Sequence, residues 1–528
     1  MKNLTYVFLA LCLVILATAQ AHDPLWVYRY DGPGKNIDDA RRVELGADGN
    51  LYVAGWCTDS SESGDFLVIS LTPSGTERWV YRYDGPAHNG WDEAAGLACG
   101  PDGNIYVCGY SEGSGTRFDI VVISLDTSGT ERWLYRYDWR GDPDRGYDII
   151  YGRDHNLYLT GTVEDRGRSA GGPAGFASGV DFAVISLDTA GNERWVYRYA
   201  EHDSGGDNGT TLVQGPDNRI YVAGVIRMET NDIAVICLSP DSGSQQWVYT
   251  YDGPGQSFDY PVSLTCDSAG NLYVGGSSWG HDTSWYDMTV IGLSPNGDER
   301  WVYRRSGPSN DLVEGLCWSD DGFLYGSGQF TVDTGGPIPV PRFEVISLDT
   351  AGTERWVYDS FPGASYHMTV GPDNNIYATG YTNMGGPSVF TVASLTPTGF
   401  ERWVSRYEGI SGANGGRWVT WGRDGHVYAT GFGMGESGLS DILAMGLEAN
   451  SGLAGPHEPS PVRGGDSPTF VRNVLQLTAN SSRLTAGLYD PSGRMVMELK
   501  PGNNDIRYLP SGVYYLRWNR DAARIVKP

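Results

Sequence analysis

The sequence lacks most of what the common enzyme classes need. Its eight histidines include no His-Glu-x-x-His stretch and no His-x-His pair, so a catalytic zinc site has no ligand set to start from. There is no Gly-x-Ser-x-Gly nucleophile elbow, whose serine must sit between a strand and a helix, and no Ser/His/Asp set to serve one. Seven cysteines in 528 residues, none spaced Cys-x-x-Cys, are too sparse for a disulfide framework. Basic residues are scarce. Lys and Arg number 38 against 64 Asp and Glu, a formal charge of −26, which argues against a basic groove for nucleic acid. Sustained helical periodicity with caps is missing throughout.

What remains is the composition of a β protein. Seventy-three glycines, 28 prolines and 12% aromatics suit strands joined by tight turns. The N-terminus is an exception. Lys2 precedes an apolar run from Tyr6 to Ala17 that ends in "ATAQA". This pattern predicts a secretory signal peptide over 1–21, cut before His22. No second apolar run reaches membrane-spanning length. Removal of the leader takes Cys12 away and leaves six cysteines, most of them inside apolar runs, which reads as buried free thiols.

The stretch "ERWVYRYDGP" at Glu77 recurs in near copies. Its tryptophans are Trp26, Trp79, Trp133, Trp195, Trp247, Trp301, Trp356 and Trp403, on average about 54 residues apart, the period of a repeat architecture. Each interval holds an apolar segment, a turn such as "GPDGN", a "YVAG"-like strand, an unbroken run such as "FLVISL", and a turn before the next tryptophan. Asp-Gly and Asn-containing turns between apolar runs are hairpin signals. A run without polar alternation needs cover on both faces, whereas "WVYRY" alternates and suits an outer strand. Four antiparallel strands per unit describe a β-propeller blade. The expected fold is all-β, an eight-bladed β-propeller over 22–454. Three strands follow Trp403 without a fourth, and "PLWVYRY" stands alone at the start, so the N-terminal strand is expected to close the ring and leave no open sheet edge.

The unit "D-x-x-V-I-S-L-x-x-x-G-x-E-R-W" followed by "G-N-x-Y-V-x-G" resembles the SBBP-type β-propeller repeats of secreted bacterial proteins. It is also similar to the tryptophan-docking motif of quinoprotein propellers. The resemblance implies the fold and little about activity, because propellers carry many unrelated functions.

Residues 455–468, "GPHEPSPVRGGDSP" with its flanks, read as an exposed linker. Beyond it, turn residues separate short alternating strands over 469–528, the pattern of a small C-terminal β-sandwich domain. This tail resembles the type A sorting domain of the type IX secretion system, through "LYDPSGRMV" at Leu488, "LPSGVYYLRW" at Leu509 and the ending "ARIVKP". The resemblance implies turns at Gly493 and Gly512, marks Tyr514 and Lys527 as motif residues, and implies recognition by the outer-membrane translocon. The family's usual "P-N-P" entry is replaced by "SPTFVRN", which leaves the start of the domain open.

In such a blade the short uniform turns share one face of the ring, and the variable loops share the other. Loops carry function on a rigid scaffold. Candidate ligand-binding residues on the variable face are Trp91, Asp92, Trp139, Asp144, Trp279 and Trp285, because tryptophan stacks on sugar or aromatic rings and carboxylates take hydroxyl hydrogen bonds. The recurrent Asp38, Asp92, Asp207, Asp259 and Asp311 are better explained as turn caps. The acidic stretch "DWRGDPDRGYD" at Asp138 reads as a solvated loop rather than an EF-hand. Calcium is kept open as a cofactor and no other is expected. The sequence therefore points to a secreted or cell-surface, non-catalytic binding or structural module for an unknown glycan, polymer or protein ligand. The alternative is a propeller enzyme, a quinone-dependent dehydrogenase or a polysaccharide-degrading enzyme.

Overall fold

The computed structural model describes residues 22–449 apart from 60–62, 166–178, 200–205, 228–229, 281–284 and 337, together with the backbone of seven strands between 470 and 527. The expected leader (1–21), the linker (455–468) and Gly493 lie outside the described residues. The chain divides into two units, Met1–Leu453 and Ala454–Pro528.

The first five strands show how the larger unit is built. They are β1 (Trp26–Tyr30), β2 (Asp38–Leu45), β3 (Leu51–Thr58), β4 (Gly64–Leu71) and β5 (Glu77–Tyr83). Strands β2 to β5 form one antiparallel sheet in chain order. The run "GDFLVISL" of β4 is buried along its whole length, as its lack of polar alternation requires. Strand β5 pairs only with β4 and is the outer edge. Four sheets of the same order follow over 92–137, 145–199, 208–251 and 259–305. Residues 312–407 then form a single seven-stranded sheet, and the last sheet combines Asn414–Trp421, His426–Met434 and Ser440–Glu448 with β1.

The seven-stranded sheet departs from the repeat. One 17-residue strand, Glu354–Val370, is the outer strand of its first half and the leading strand of its second. The other units pass through a loop, three times beginning "DGP", and restart at a capping aspartate or, in the last sheet, at Asn414. Here Gly363 occupies that position, with no loop to cap.

Leading strands pack on one another from sheet to sheet, and that of the last sheet returns to β2. The result is a closed ring of antiparallel sheets, a β-propeller. Strand β1 completes the last sheet in register, Trp26 opposite Gly446 and Tyr30 opposite Ile442.

The recurring tryptophan is the joint between neighbours. Each indole Nε1–H donates to a carbonyl in the segment that follows the third strand of the next sheet. The acceptors run from Pro73 for Trp26, through Thr127 for Trp79 and Thr189 for Trp133, to Ala449 for Trp403, over 2.8–3.3 Å. The ring lies flat on the glycine of that turn. A Cβ on Gly75 would stand 2.4 Å from Trp26, and one on Gly129 would stand 2.6 Å from Trp79. Both glycines have positive φ, so two constraints select glycine there. A second joint is repeated beside it: Tyr28, Tyr81, Tyr135, Tyr249 and Tyr303 each donate to the glutamate that begins the neighbouring outer strand. Inside each sheet the "YVAG" tyrosine donates to the aspartate of its own turn, as in Tyr52 to Asp48 and Tyr106 to Asp102.

The six cysteines of the ring are unbonded, with Cys57, Cys108 and Cys237 buried. No helix occurs among the described residues, so none is long and apolar enough to cross a membrane. In the second unit, Gly512–Trp518 pairs with Ala486–Tyr489 and with Asp521–Lys527, and Met495–Leu499 extends that sheet. Gly512 stands opposite Lys527, and Tyr514 opposite Ile525. Phe470–Val471, Val474–Leu477 and Gly502–Asp505 form a three-stranded sheet.

Candidate functional site

Where an aspartate opens a leading strand, backbone engages it. Asp38 accepts from the N–H of Gly32 at 2.6 Å and of Thr58 at 2.9 Å. Asp92 accepts from Gly85 and Glu112, Asp259 from Gly253 and Trp279, and Asp144 from Trp139 and Glu164. These side chains tie the incoming loop to the end of the second strand. Asp92 and Asp144, proposed above as ligand contacts, are buried at 1% and 0% exposure and are caps like the others. Burial pushes the Asp144 carboxyl up to about 8, against the pull of its two backbone donors.

The four proposed tryptophans separate into two kinds. Trp91 packs on Trp56, ring centroids 4.7 Å apart, and lies over Gly64. Trp139 has the Arg198 guanidinium 3.3 Å from its ring centroid and Arg140 at 5.1 Å. Both indoles are half-buried fillers of loop contacts. Trp279 and Trp285 stand at the same end of the 259–305 sheet, Trp279 half-buried and Trp285 exposed. Trp279 pairs in register with Tyr286, whose ring it meets edge-on at 5.0 Å.

Three residues that the sequence reading did not single out join them. Phe258 and Tyr260 stack with their planes 12° apart and centroids 6.4 Å apart, and Tyr260 contacts Tyr286 at 5.9 Å. Phe258, Tyr260, Val262 and Trp285 are 44%, 37%, 39% and 45% exposed. They sit on the variable-loop face, where the leading strand starts and the third strand begins. A signal was present: the residue after the capping aspartate is Asp39, Glu93, Arg145 and Asn208 in the first four units but Tyr260 in the fifth.

Beside this surface lies one of three carboxylate groups whose oxygens come within 4.8 Å of one another: Asp31, Asp38 and Asp441; Asp65, Asp84 and Asp92; and Asp232, Asp252 and Asp259. Each joins the third strand of one sheet, the loop leaving it and the cap of the next. The outer strand usually supplies a counter-charge, as Arg29 does on Asp441 at 2.7 Å, Arg136 on Asp119 at 2.6 Å and Arg304 on Asp287 at 2.6 Å. Arg82 stands off at 3.7 Å from Asp65. In the third group the equivalent position, opposite Ala234, is Thr250. Among the described residues no ion pair reaches Asp232, Asp252 or Asp259. Burial, with Asp252 and Asp232 adding to it, carries the Asp259 carboxyl up to about 6 against its backbone donors. These groups are where a cation could be held. The Asp138–Asp148 stretch forms no such group, since Asp138 accepts from Gly141 and Asp148 pairs with Arg42 at 2.7 Å.

At the opposite mouth of the ring a recess of about 290 Å³ is lined by Glu44, His367, Thr369, Trp418, Thr420 and Trp421, among others. The His367 ring stacks on Trp418 at 3.4 Å, and the Arg42 guanidinium lies 4.1 Å from the same indole. Burial, reinforced by Arg42, holds His367 neutral down to about 3. Burial raises Glu44 to about 7, although it accepts the Cys99 N–H.

No family model matches the sequence, and no curated protein matches it. Several solved structures are similar in chain trace. Sqt1 from Chaetomium thermophilum is 13% identical, with 81% of this chain and 99% of that one covered at a TM-score of 0.49. The quinohemoprotein alcohol dehydrogenase from Comamonas testosteroni is 13% identical, covering 84% and 79% at 0.49. The Dos1 propeller is 9% identical, covering 81% and 95% at 0.49. The strand pairing, rather than these likenesses, defines the ring.

Proposed function

We propose that the chain is an exported eight-bladed β-propeller that binds a glycan, polymer or protein partner through its variable-loop face and performs no catalysis. Counting the seven-stranded sheet as two blades that share a strand gives the eight. The third carboxylate group then joins blade four (208–251) to blade five (259–305). The observation that carries the binding reading is the exposure of Phe258, Tyr260, Val262 and Trp285 on blade five. Grouped apolar surface of this kind, rimmed by polar residues, marks interaction sites. Against the polysaccharide-degrading alternative, glycoside cleavage uses a carboxylate pair across one cavity, and the recess at the opposite mouth has Glu44 as its one lining carboxyl.

Export rests on the two ends. The leader over 1–21 and the tail over 469–528, taken as a small β-sandwich read by the type IX translocon, would deliver the ring outside the cell or onto its outer surface. The Gly512 and Tyr514 strand and Lys527 belong to the sorting motif in this reading.

The test is a glycan and polymer binding screen on the exported chain, residues 22–528, with Trp285→Ala and Trp91→Ala run beside it. A ligand lost with Trp285→Ala and retained with Trp91→Ala supports the blade-five surface. A ligand indifferent to Trp285→Ala, Tyr260→Ala and Phe258→Ala would place binding elsewhere.

A further inference from the structure

We infer that the blade-five surface takes a polymer of amino sugars, a glycan whose rings carry protonated amines. The inference rests on the binding reading above and adds the chemical class of the ligand. Three observations meet at this one place.

The first is shape. Phe258 and Tyr260 present two exposed rings whose planes are nearly parallel, with Trp285 exposed at the same sheet end. Such a surface is open and suits the C–H face of a sugar ring. The second is charge. Asp232, Asp252 and Asp259 bring three carboxylates together where the neighbouring outer strands place an arginine, and Thr250 stands in that arginine's position. Asp232 and Asp259 are buried and Asp252 is exposed at their edge. No ion pair reaches the three among the described residues, so an ammonium that meets Asp252 offsets the charge of the group through a charge-assisted hydrogen bond. The aromatic faces beside it attract the same cation.

The third is adjacency. Asp259 directly precedes Tyr260, and its carboxylate accepts the Trp279 N–H at 2.9 Å. The side-chain amide of Asn231, next to Asp232, reaches the Tyr260 hydroxyl at 3.4 Å. The two features therefore hang on the same short stretches of backbone. An amino sugar supplies both halves of the match, a flat face to stack and an ammonium at its edge. A lysine-rich protein would supply the ammonium but no flat face for Phe258 and Tyr260. The formal charge of −26 adds a long-range pull on a polycation.

Calorimetry on the exported chain, residues 22–528, tests this with four probes: a fully deacetylated glucosamine hexamer, its N-acetylated counterpart, cellohexaose and hexalysine. The deacetylated hexamer should bind at least about tenfold more tightly than either neutral hexamer, a preference that one charge-assisted contact accounts for. Thr250→Arg, an exposed change that copies the neighbouring blades, should erase the preference while leaving neutral binding in place. Trp285→Ala should weaken all three saccharides, with a circular dichroism spectrum and melting midpoint like the parent's showing that the ring is intact. Equal affinity for the three saccharides would overturn the amine assignment and leave the glycan surface standing. Hexalysine binding as tightly as the glucosamine hexamer would overturn it in favour of a basic protein partner. A requirement for added calcium would overturn it too, since the carboxylates would then be serving a metal. Failure of every saccharide to bind the folded chain would remove the inference and the glycan reading together.

Discussion

Trp26 donates its indole N–H to the Pro73 carbonyl at 2.8 Å, although Trp26 belongs to the last sheet of the ring and Pro73 to the first. Its strand pairs with Ser440–Glu448. One residue thus holds both sides of the seam where the ring closes. Deleting residues 22–30 should expose the edge of Ser440–Glu448 and leave Gly75 without its indole. The expected result is a fall in melting midpoint of roughly 10 °C or more and concentration-dependent oligomers through the freed edge. A monomer with unchanged midpoint in sedimentation and thermal scans would show that closure does not depend on β1.

The tryptophan joint makes a second prediction that separates conformational strain from packing. Gly103 and Gly129 have nearly equal φ, 81° and 84°. A Cβ at Gly103 meets nothing within 4 Å, while one at Gly129 meets the Trp79 ring at 2.6 Å. Gly103→Ala should cost about 1 kcal/mol from left-handed backbone alone. Gly129→Ala should cost at least about 3 kcal/mol, because the indole must also leave its seat. Urea denaturation of the two variants measures the gap, and equal losses would mean that the tryptophan seat contributes nothing.

Acid should stabilise the ring down to the ordinary carboxylate range. Burial raises Glu44 to about 7, Asp144 to about 8 and Glu344 to about 8. Glu344 is wholly buried and accepts no hydrogen bond on either oxygen, with Arg305 at 3.7 Å. The folded chain holds these protons more tightly than an unfolded chain, whose carboxyls titrate near about 4. Stability therefore falls as pH rises from about 4 to about 8. The turn carboxylates act in the opposite sense. The Ser128 hydroxyl holds Asp126 below the usual range, and the Thr353 N–H does the same for Asp349, so their contribution is lost only in stronger acid. The melting midpoint should be higher at about pH 5.5 than at about pH 8.5, by roughly 5 °C or more. Glu344→Gln should flatten that slope. A midpoint that rises with pH over this window would contradict the assignment.

The export reading is tested in the cell. Removal of residues 469–528 should leave the propeller folded but retained behind the outer membrane, and Lys527→Ala should impair export less severely. Fractionation and surface proteolysis read the outcome. Unchanged delivery of the truncated chain would remove the tail from the export route.

Much of the ring was legible because its signals are local and repeated. Eight tryptophans at a near-constant period, buried "VISL" runs and positive-φ turn glycines each specify a strand or turn without reference to distant residues. Even closure could be read, since the missing fourth strand at one end matched the spare strand at the other. The site was less legible for a physical reason. Trp91, Trp139, Trp279 and Trp285 look alike in sequence, and only the packing of Trp56 on the first and of Arg198 on the second separates filler from open surface. Asp92 and Asp144 carried the same ambiguity until their backbone donors were seen. The fused sheet left a trace, because the interval from Trp356 to Trp403 is the shortest and lacks the capping aspartate that every earlier interval carries.

That fused strand has a mechanical consequence. In an array of repeats, stability is set by each unit and its contacts with its neighbours, so units can open one at a time. Glu354–Val370 crosses from one unit to the next without a turn, so its two neighbours share an unbroken backbone and have no hinge between them. They should behave as a stiff double-width arc in an otherwise jointed ring, exchanging their amide protons as one cooperative block. Any breathing of the ring should then fall to the remaining joints, and the compliance that the proposed binding would call on comes from outside that arc.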